Sequence, residues 1–129
     1  MLQAQKHRGP DATGVWSDNC IFLGHNRLSI IDLSAEANQP MVSECGGIII
    51  VLNGEIYNYP ELKSQLPNYR YRTASDTEVV LAAYKRWGKD MLSHLNGMFS
   101  LAILDRKKGT LFAARDRFGV KPFYYALSD

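Results

Sequence analysis

The sequence predicts an α+β domain in which two antiparallel sheets lie face to face with helices outside. Three observations predict it. Runs rich in β-branched residues and bounded by turn residues occupy both ends of the chain, a helix-period segment lies between them, and residues 97–105 form a strand that is apolar on both sides. With Met98, Ala102 and Leu104 on one face and Phe99, Leu101 and Ile103 on the other, that strand belongs to a sheet covered on both faces.

Taken in order, residues 20–24, 27–33 and 47–53 read as the first three strands, each framed by Gly, Asn, Asp or Ser. A helix begins near Pro60, a residue tolerated in a first turn, and runs through Leu66. A second helix spans 77–87. Ser75 and Glu78 fit a capping box, Val80, Tyr84 and Trp87 recur at i, i+4 and i+7, and Gly88 supplies the stop. A short third helix covers 89–95. Residues 97–105 and 110–116 then flank the turn-like Arg106-Lys107-Lys108-Gly109 as a hairpin.

No repeat, low-complexity tract or linker-like run divides the 129 residues, so residues 1–129 form one domain. Fifteen basic against 13 acidic residues leave a formal charge of +2, spread without a basic stripe, which argues against a nucleic-acid partner. The longest aliphatic run, Ile48 to Leu52, is far shorter than the ~20 residues a membrane helix needs. No membrane partner is expected. Two cysteines make no disulfide framework, and residues 1–7 lack the apolar stretch of a signal peptide, so the expected compartment is the cytoplasm.

The polar residues are ambiguous one at a time. His7, His25 and His94 have no ligand spacing, so no metal is assigned, and Cys20 and Cys45 read as structural. Asn53-Gly54-Glu55 is more informative because it ends an apolar strand. Asn-Gly there is either a tight turn or an oxyanion hole, in which a side-chain amide and a glycine N–H stabilise developing negative charge. Nothing local decides between the two.

Six blocks in order carry a resemblance: His7-Arg8-Gly9-Pro10-Asp11, residues 24–33 with Arg27-Leu28-Ser29-Ile30-Ile31, Asn53-Gly54-Glu55-Ile56-Tyr57-Asn58, Ser75-Asp76-Thr77-Glu78, Asn96-Gly97-Met98-Phe99 and Ala114-Arg115-Asp116-Arg117-Phe118-Gly119-Val120-Lys121-Pro122. Across nearly the whole chain they resemble the class II glutamine amidotransferase domain of glutamine-dependent asparagine synthetases. The resemblance implies the four-layer αββα sandwich of the N-terminal nucleophile hydrolases. It also implies the hydrolysis of glutamine to glutamate and ammonia, delivered for ATP-dependent amidation of aspartate.

The same resemblance implies a role for each polar residue. Arg27 pairs with the α-carboxylate of glutamine, where a planar guanidinium donates two parallel hydrogen bonds. Ile30 and Ile31 line the pocket, their backbone groups in reach of the ligand. Asp76, with Glu55, holds the α-ammonium, and Asn53 and Gly54 stabilise the tetrahedral oxyanion. Read without the resemblance, Arg27 is a strand-edge charge, Asp76 a cap for the helix starting near Thr77, and Glu55 a solvated loop acid. Arg115, Asp116, Arg117 and Lys121 read as a structural turn and ion-pair cluster. Residues 7–11 read as a turn at the pocket mouth or a direct contact.

In the family the nucleophile is a cysteine that follows the initiator Met, its own α-amine acting as base. An α-amine titrates near about 7.7–8.0, so part of it is neutral at physiological pH. Here position 2 is Leu2, and the resemblance begins beyond the family's first strand and helix. The expectation is a truncated domain that does not hydrolyse glutamine. A shortened relative acting as a non-catalytic glutamine-binding or interaction module is the alternative. The expected partners are glutamine and a C-terminal synthetase domain or subunit. No cofactor is expected in this domain, ATP and magnesium belonging to the synthetase part. Loss of a first strand would uncover a sheet edge, which predicts dimerisation, aggregation or rearranged pairing there.

Overall fold

The structure is a computed structural model that describes residues 1–128. Its strands are β1 (Ala12–Ser17), β2 (Phe22–Arg27), β3 (Met41–Val42), β4 (Ile48–Ile56), β5 (Gly97–Asp105) and β6 (Thr110–Arg115). Its α-helices are α1 (Tyr59–Gln65) and α2 (Asp76–Trp87), with short 3-10 turns at Gln3–Arg8, Ala35–Ala37 and Gly88–Ser93. β3, β4, β5 and β6 pair in that order as one antiparallel sheet, while β1 and β2 form a separate antiparallel hairpin.

Alternation along β4 and β5 sorts the core into two layers. Ile50, Leu52 and Ile56 with Phe99, Leu101 and Ile103 face the helices and pack with Leu62, Val80 and Tyr84. The opposite face carries Ile49 and Leu104, which are covered by Leu23 of β2 with Trp16 of β1 packed against them. The two sheets therefore lie face to face with α-helices over the larger one; β5 is buried along its helix side, while on the hairpin side only Leu104 is buried and Met98, Ser100 and Ala102 stay partly exposed, so the covering predicted for both faces is complete on one.

Several boundaries differ from the sequence reading. β1 and β3 were not expected, since Ala12–Ser17 is half polar and Met41–Val42 is too short to show a period. The strand read over 20–24 lies instead at Phe22–Arg27. Residues 28–33, read as strand, are a loop. Arg27 donates to the carbonyl oxygens of Asp32 and Ser34, and the Asp32 carboxylate accepts from the Ser34 N–H at 2.8 Å and the Ala74 N–H at 2.7 Å. These bonds hold the segment in turns that an extended strand cannot satisfy. The third helix is a 3-10 turn.

The N-cap of α2 is as predicted on one side, with the Glu78 N–H donating to Ser75 Oγ at 3.3 Å. The reciprocal half of the box is absent. The buried Glu78 carboxylate instead accepts from the N–H groups of Arg72 and Thr73, tying down the approach to α2. Cys20 and Cys45, read as structural, are exposed free thiols in turns and contribute nothing to the core.

The segment after β6 is a turn, as predicted, but it is not an ion-pair cluster. The Asp116 carboxylate accepts from four backbone N–H groups, those of Phe99, Phe118, Val120 and Lys121, at 2.9–3.2 Å. Arg117 donates to the carbonyls of Leu92 and Leu95. The Lys121 N–H and its companions hold the Asp116 carboxyl down at about 2. A folded pKa below the unfolded value of about 3.9 adds stability above that value and loses it as the pH falls toward 2. Asp116→Asn is therefore expected to lower the neutral-pH Tm and flatten the acid limb of a Tm-against-pH curve between about pH 4 and pH 2; an unchanged acid limb would contradict this.

Candidate functional site

The site is built on the β3-side edge of β4. Alternate residues of an antiparallel strand direct their backbone groups to the same neighbour, and from Ile48 to Ile56 the even-numbered residues point toward β3. β3 reaches only as far as Ile50. Beyond it, the Gln39 side-chain amide meets Leu52, and the Ile56 N–H donates to Asp76 Oδ2 at 2.9 Å. Gly54 stands between these anchors, and its N–H has no hydrogen-bond partner among the described residues.

Glycine is required at this position. Its φ is +149°, and a Cβ here would stand 2.0 Å from the Met98 carbonyl oxygen on β5. β4 therefore continues straight through Asn53-Gly54 to Ile56. The tight turn is excluded, and an N–H donor is left facing an open edge.

That edge opens into a cavity of about 240 Å³, and all seven residues picked from the sequence line it: Arg27, Ile30, Ile31, Asn53, Gly54, Glu55 and Asp76. Its volume is below the roughly 300–1,000 Å³ of drug-sized sites, a scale that suits a free amino acid. Arg27 ends β2, Ile30 and Ile31 come from the loop after it rather than from a strand, Asn53 to Glu55 from β4, and Asp76 from the first turn of α2.

The charges are separated. Arg27 is 8% exposed, and its guanidinium donates to Ser34 O at 2.8 Å, Asn38 Oδ1 at 2.9 Å and the Asp32 carbonyl. A guanidinium has five N–H donors, so two remain. Among the described residues no carboxylate lies within ion-pair distance of it. Asp76 is buried too, and it is not the helix cap, a role Ser75 fills by accepting from the Glu78 N–H. Burial pushes its carboxyl above the usual carboxylate range; the N–H groups of Ile56 and Thr77 oppose that shift and the Glu55 charge adds to it. Glu55 is half-buried on β4 and is not a loop acid. Glu55 and Asp76 thus set two acids side by side in a partly dry site.

Other lining residues, His25 and Gln39 among them, were not picked from the sequence as site residues. Burial holds the His25 pKa below the ordinary imidazole value; the neutral ring donates from Nε2 to the Leu52 carbonyl at 3.2 Å, and among the described residues its buried Nδ1 has no partner. Gln39 showed no local pattern, because its partner lies 13 residues away. Lys121, read as part of a structural turn, lines the wall, as does Arg8 from the first block. His25, Arg8 and Asn53 also border a second cavity of about 660 Å³, where Val51, Ser100 and Ala102 leave part of the sheet face uncovered by the hairpin. Neither Cys20 nor Cys45 lines either cavity.

Comparison with known proteins identifies the family and the fold. The chain is 50% identical over 94% of its length to the amidase chry2 of Gibberella zeae, of which it covers 18%. It is 45% identical over 92% of its length to an asparagine synthetase [glutamine-hydrolyzing] of Asparagus officinalis, covering 20% of that protein. Against asparagine synthetase [glutamine-hydrolyzing] 3 of Bacillus subtilis the figures are 42%, 97% and 21%. The chain thus spans about a fifth of the length of these relatives. Its fold is similar to that of the glutamine phosphoribosylpyrophosphate amidotransferase of Bacillus subtilis, with a TM-score of 0.59 and 31% identity over 72% of this chain and 22% of that one. This places the two facing sheets in the N-terminal nucleophile architecture. The glutamine amidotransferase domain family matches residues 1–129 from end to end, and with relatives this similar the chain belongs to it, as a domain of the kind found in asparagine synthetases.

Proposed function

We propose that the 240 Å³ cavity binds free glutamine and is the glutaminase site of an asparagine synthetase-like enzyme. One observation carries this: among the described residues, a buried guanidinium without an acid partner and a glycine N–H without a hydrogen-bond partner converge with two carboxylates on one amino-acid-sized space. Arg27 takes the α-carboxylate with its two remaining donors, and Asp76 and Glu55 take the α-ammonium. The side chain then extends along β4 toward Asn53 and the Gly54 N–H, donors aimed where negative charge develops when the carboxamide carbon becomes tetrahedral. In this reading ammonia passes to an ATP- and magnesium-using synthetase part that amidates aspartate, the setting is cytoplasmic, and self-association occurs through the edge of β2 that β1 leaves unpaired.

In this reading the carboxamide is attacked by a thiol beside an amine that serves as base. Both cysteines lie away from the cavity, so the 129 residues are expected to bind glutamine without hydrolysing it. Calorimetric titration with glutamine tests binding, and an ammonia assay on the same sample tests hydrolysis. Glu55→Gln is the informative variant, because Glu55 makes no side-chain hydrogen bond among the described residues and its loss leaves the fold intact. Replacing a charged acceptor by a neutral one is expected to weaken glutamine binding roughly tenfold with Tm unchanged. Absence of heat from the unsubstituted chain, or ammonia release by it, would refute the reading on the point concerned.

A further inference from the structure

β3 stops at Met41, yet β4 stays extended for six residues beyond the last paired position, Ile50. The register that sets Met41 opposite Ile50 puts residue 39 opposite Leu52. The main chain of Gln39 is committed elsewhere: its carbonyl packs so closely on β1 that a Cβ on Gly14 would stand 2.0 Å from the oxygen. Its side chain turns to β4 instead. Gln39 Oε1 accepts from the Leu52 N–H at 2.5 Å, and Nε2 donates to the Leu52 carbonyl at 3.1 Å and to Thr77 Oγ1 at 3.2 Å. One buried carboxamide thus replaces both ladder bonds of a missing strand residue and reaches the first turn of α2 beside Asp76.

We propose that Gln39 is a positioning residue for the oxyanion donors, an inference that rests on the glutamine reading above. The Leu52 carbonyl belongs to the peptide plane that leads into Asn53, and it receives two donors, Gln39 Nε2 and His25 Nε2. Holding that plane sets the direction of the Asn53 side chain and of the next outward N–H, that of Gly54. The Thr77 bond ties the same plane to the helix that carries Asp76, so the ammonium and oxyanion ends of the cleft share one buried support. A β3 strand continued to residue 37 would have held Leu52 equally well, but it would also have paired with Gly54 and consumed the free N–H. A side-chain amide ends the ladder one position earlier and leaves that donor open.

The test separates the two ends of the ligand. The 129-residue chain and its Gln39→Met and Gln39→Glu variants are titrated calorimetrically with glutamine and with 2-amino-4-phosphonobutanoate, in which a tetrahedral anion replaces the flat carboxamide. Both probes share the head group held by Arg27, Glu55 and Asp76, whereas the phosphonate depends on Asn53 and Gly54. Gln39→Met is expected to weaken the phosphonate about tenfold more than glutamine. Gln39→Glu keeps the length and the acceptor but sets a carboxylate against the Leu52 carbonyl; the same selective loss is expected, which covers a methionine variant that does not fold. Equal weakening of both probes, or none, overturns the inference and leaves the glutamine reading standing. An unsubstituted chain that binds neither probe overturns both.

Discussion

Gly54→Ala is expected to cost roughly 3 kcal/mol or more of folding stability, from overpacking against β5 together with a backbone angle that L-residues rarely adopt. The two contributions are separable. At Gly46, φ is +69° and nothing lies within 4 Å of an added Cβ, so Gly46→Ala carries backbone strain alone, about 1 kcal/mol. At Gly54 the added atom meets Met98 O at 2.0 Å, main chain that moves only if the β4–β5 pairing opens. Against a typical total of about 5–15 kcal/mol, the Gly54 loss is large enough to read directly in urea denaturation. Equal losses at the two positions would show that contact with β5 does not matter. The same change acts on function, because separating β4 from β5 moves the Gly54 N–H out of line with Asn53, and glutamine affinity should fall with stability.

Arg27→Met is expected to abolish measurable glutamine binding, a loss of at least about a hundredfold, and to destabilise the chain as well. The binding term is the removal of the buried cation assigned to the α-carboxylate, worth about 1.5–3 kcal/mol for each charge-assisted bond. The stability term arises because the guanidinium also holds the loop after β2. The carbonyls of Asp32 and Ser34 and the Asn38 side chain lose their donor together, at about 1–3 kcal/mol for each group that water does not reach. Arg27→Lys separates the terms. It restores the charge without the planar fork, so affinity should stay well below that of the unsubstituted chain while part of the stability returns. Asn38→Ala removes one loop bond and leaves the cation, and it should lower Tm with glutamine binding retained. If Arg27→Met bound glutamine normally, the orientation proposed for the ligand would be wrong, whatever happened to the loop.

Short-range features were legible in the sequence. Ser75 before an i, i+4, i+7 apolar series marked α2 to within one residue, and residues 97–105 are the strand their composition announced, buried along one face and covered in part on the other. The same reading failed where a polar side chain overrode local preference. Residues 28–33 have the composition of a strand, but Arg27 and Asp32 bind the backbone of that segment and hold it as a pocket wall. Asn53-Gly54 has the composition of a turn, yet close approach to β5 keeps it extended. Asp116 sits in a charged run, and its partners are four backbone amides supplied by strand and turn.

By itself the amino-acid sequence determined the α+β class, the principal helix, the strand at residues 97–105 and, through six ordered blocks, the family and seven of the residues that line the cavity. Only the tertiary structure decided that, among the described residues, Gly54 presents a free N–H and Arg27 is buried without an acid, and that Gln39 and His25 grip Leu52 from behind. The physical reason is range. Periodicity and caps arise from neighbours within one or two turns and leave a mark on local spacing. A hydrogen bond between residues 13 or 27 positions apart leaves none, and it exists only once the sheets have packed.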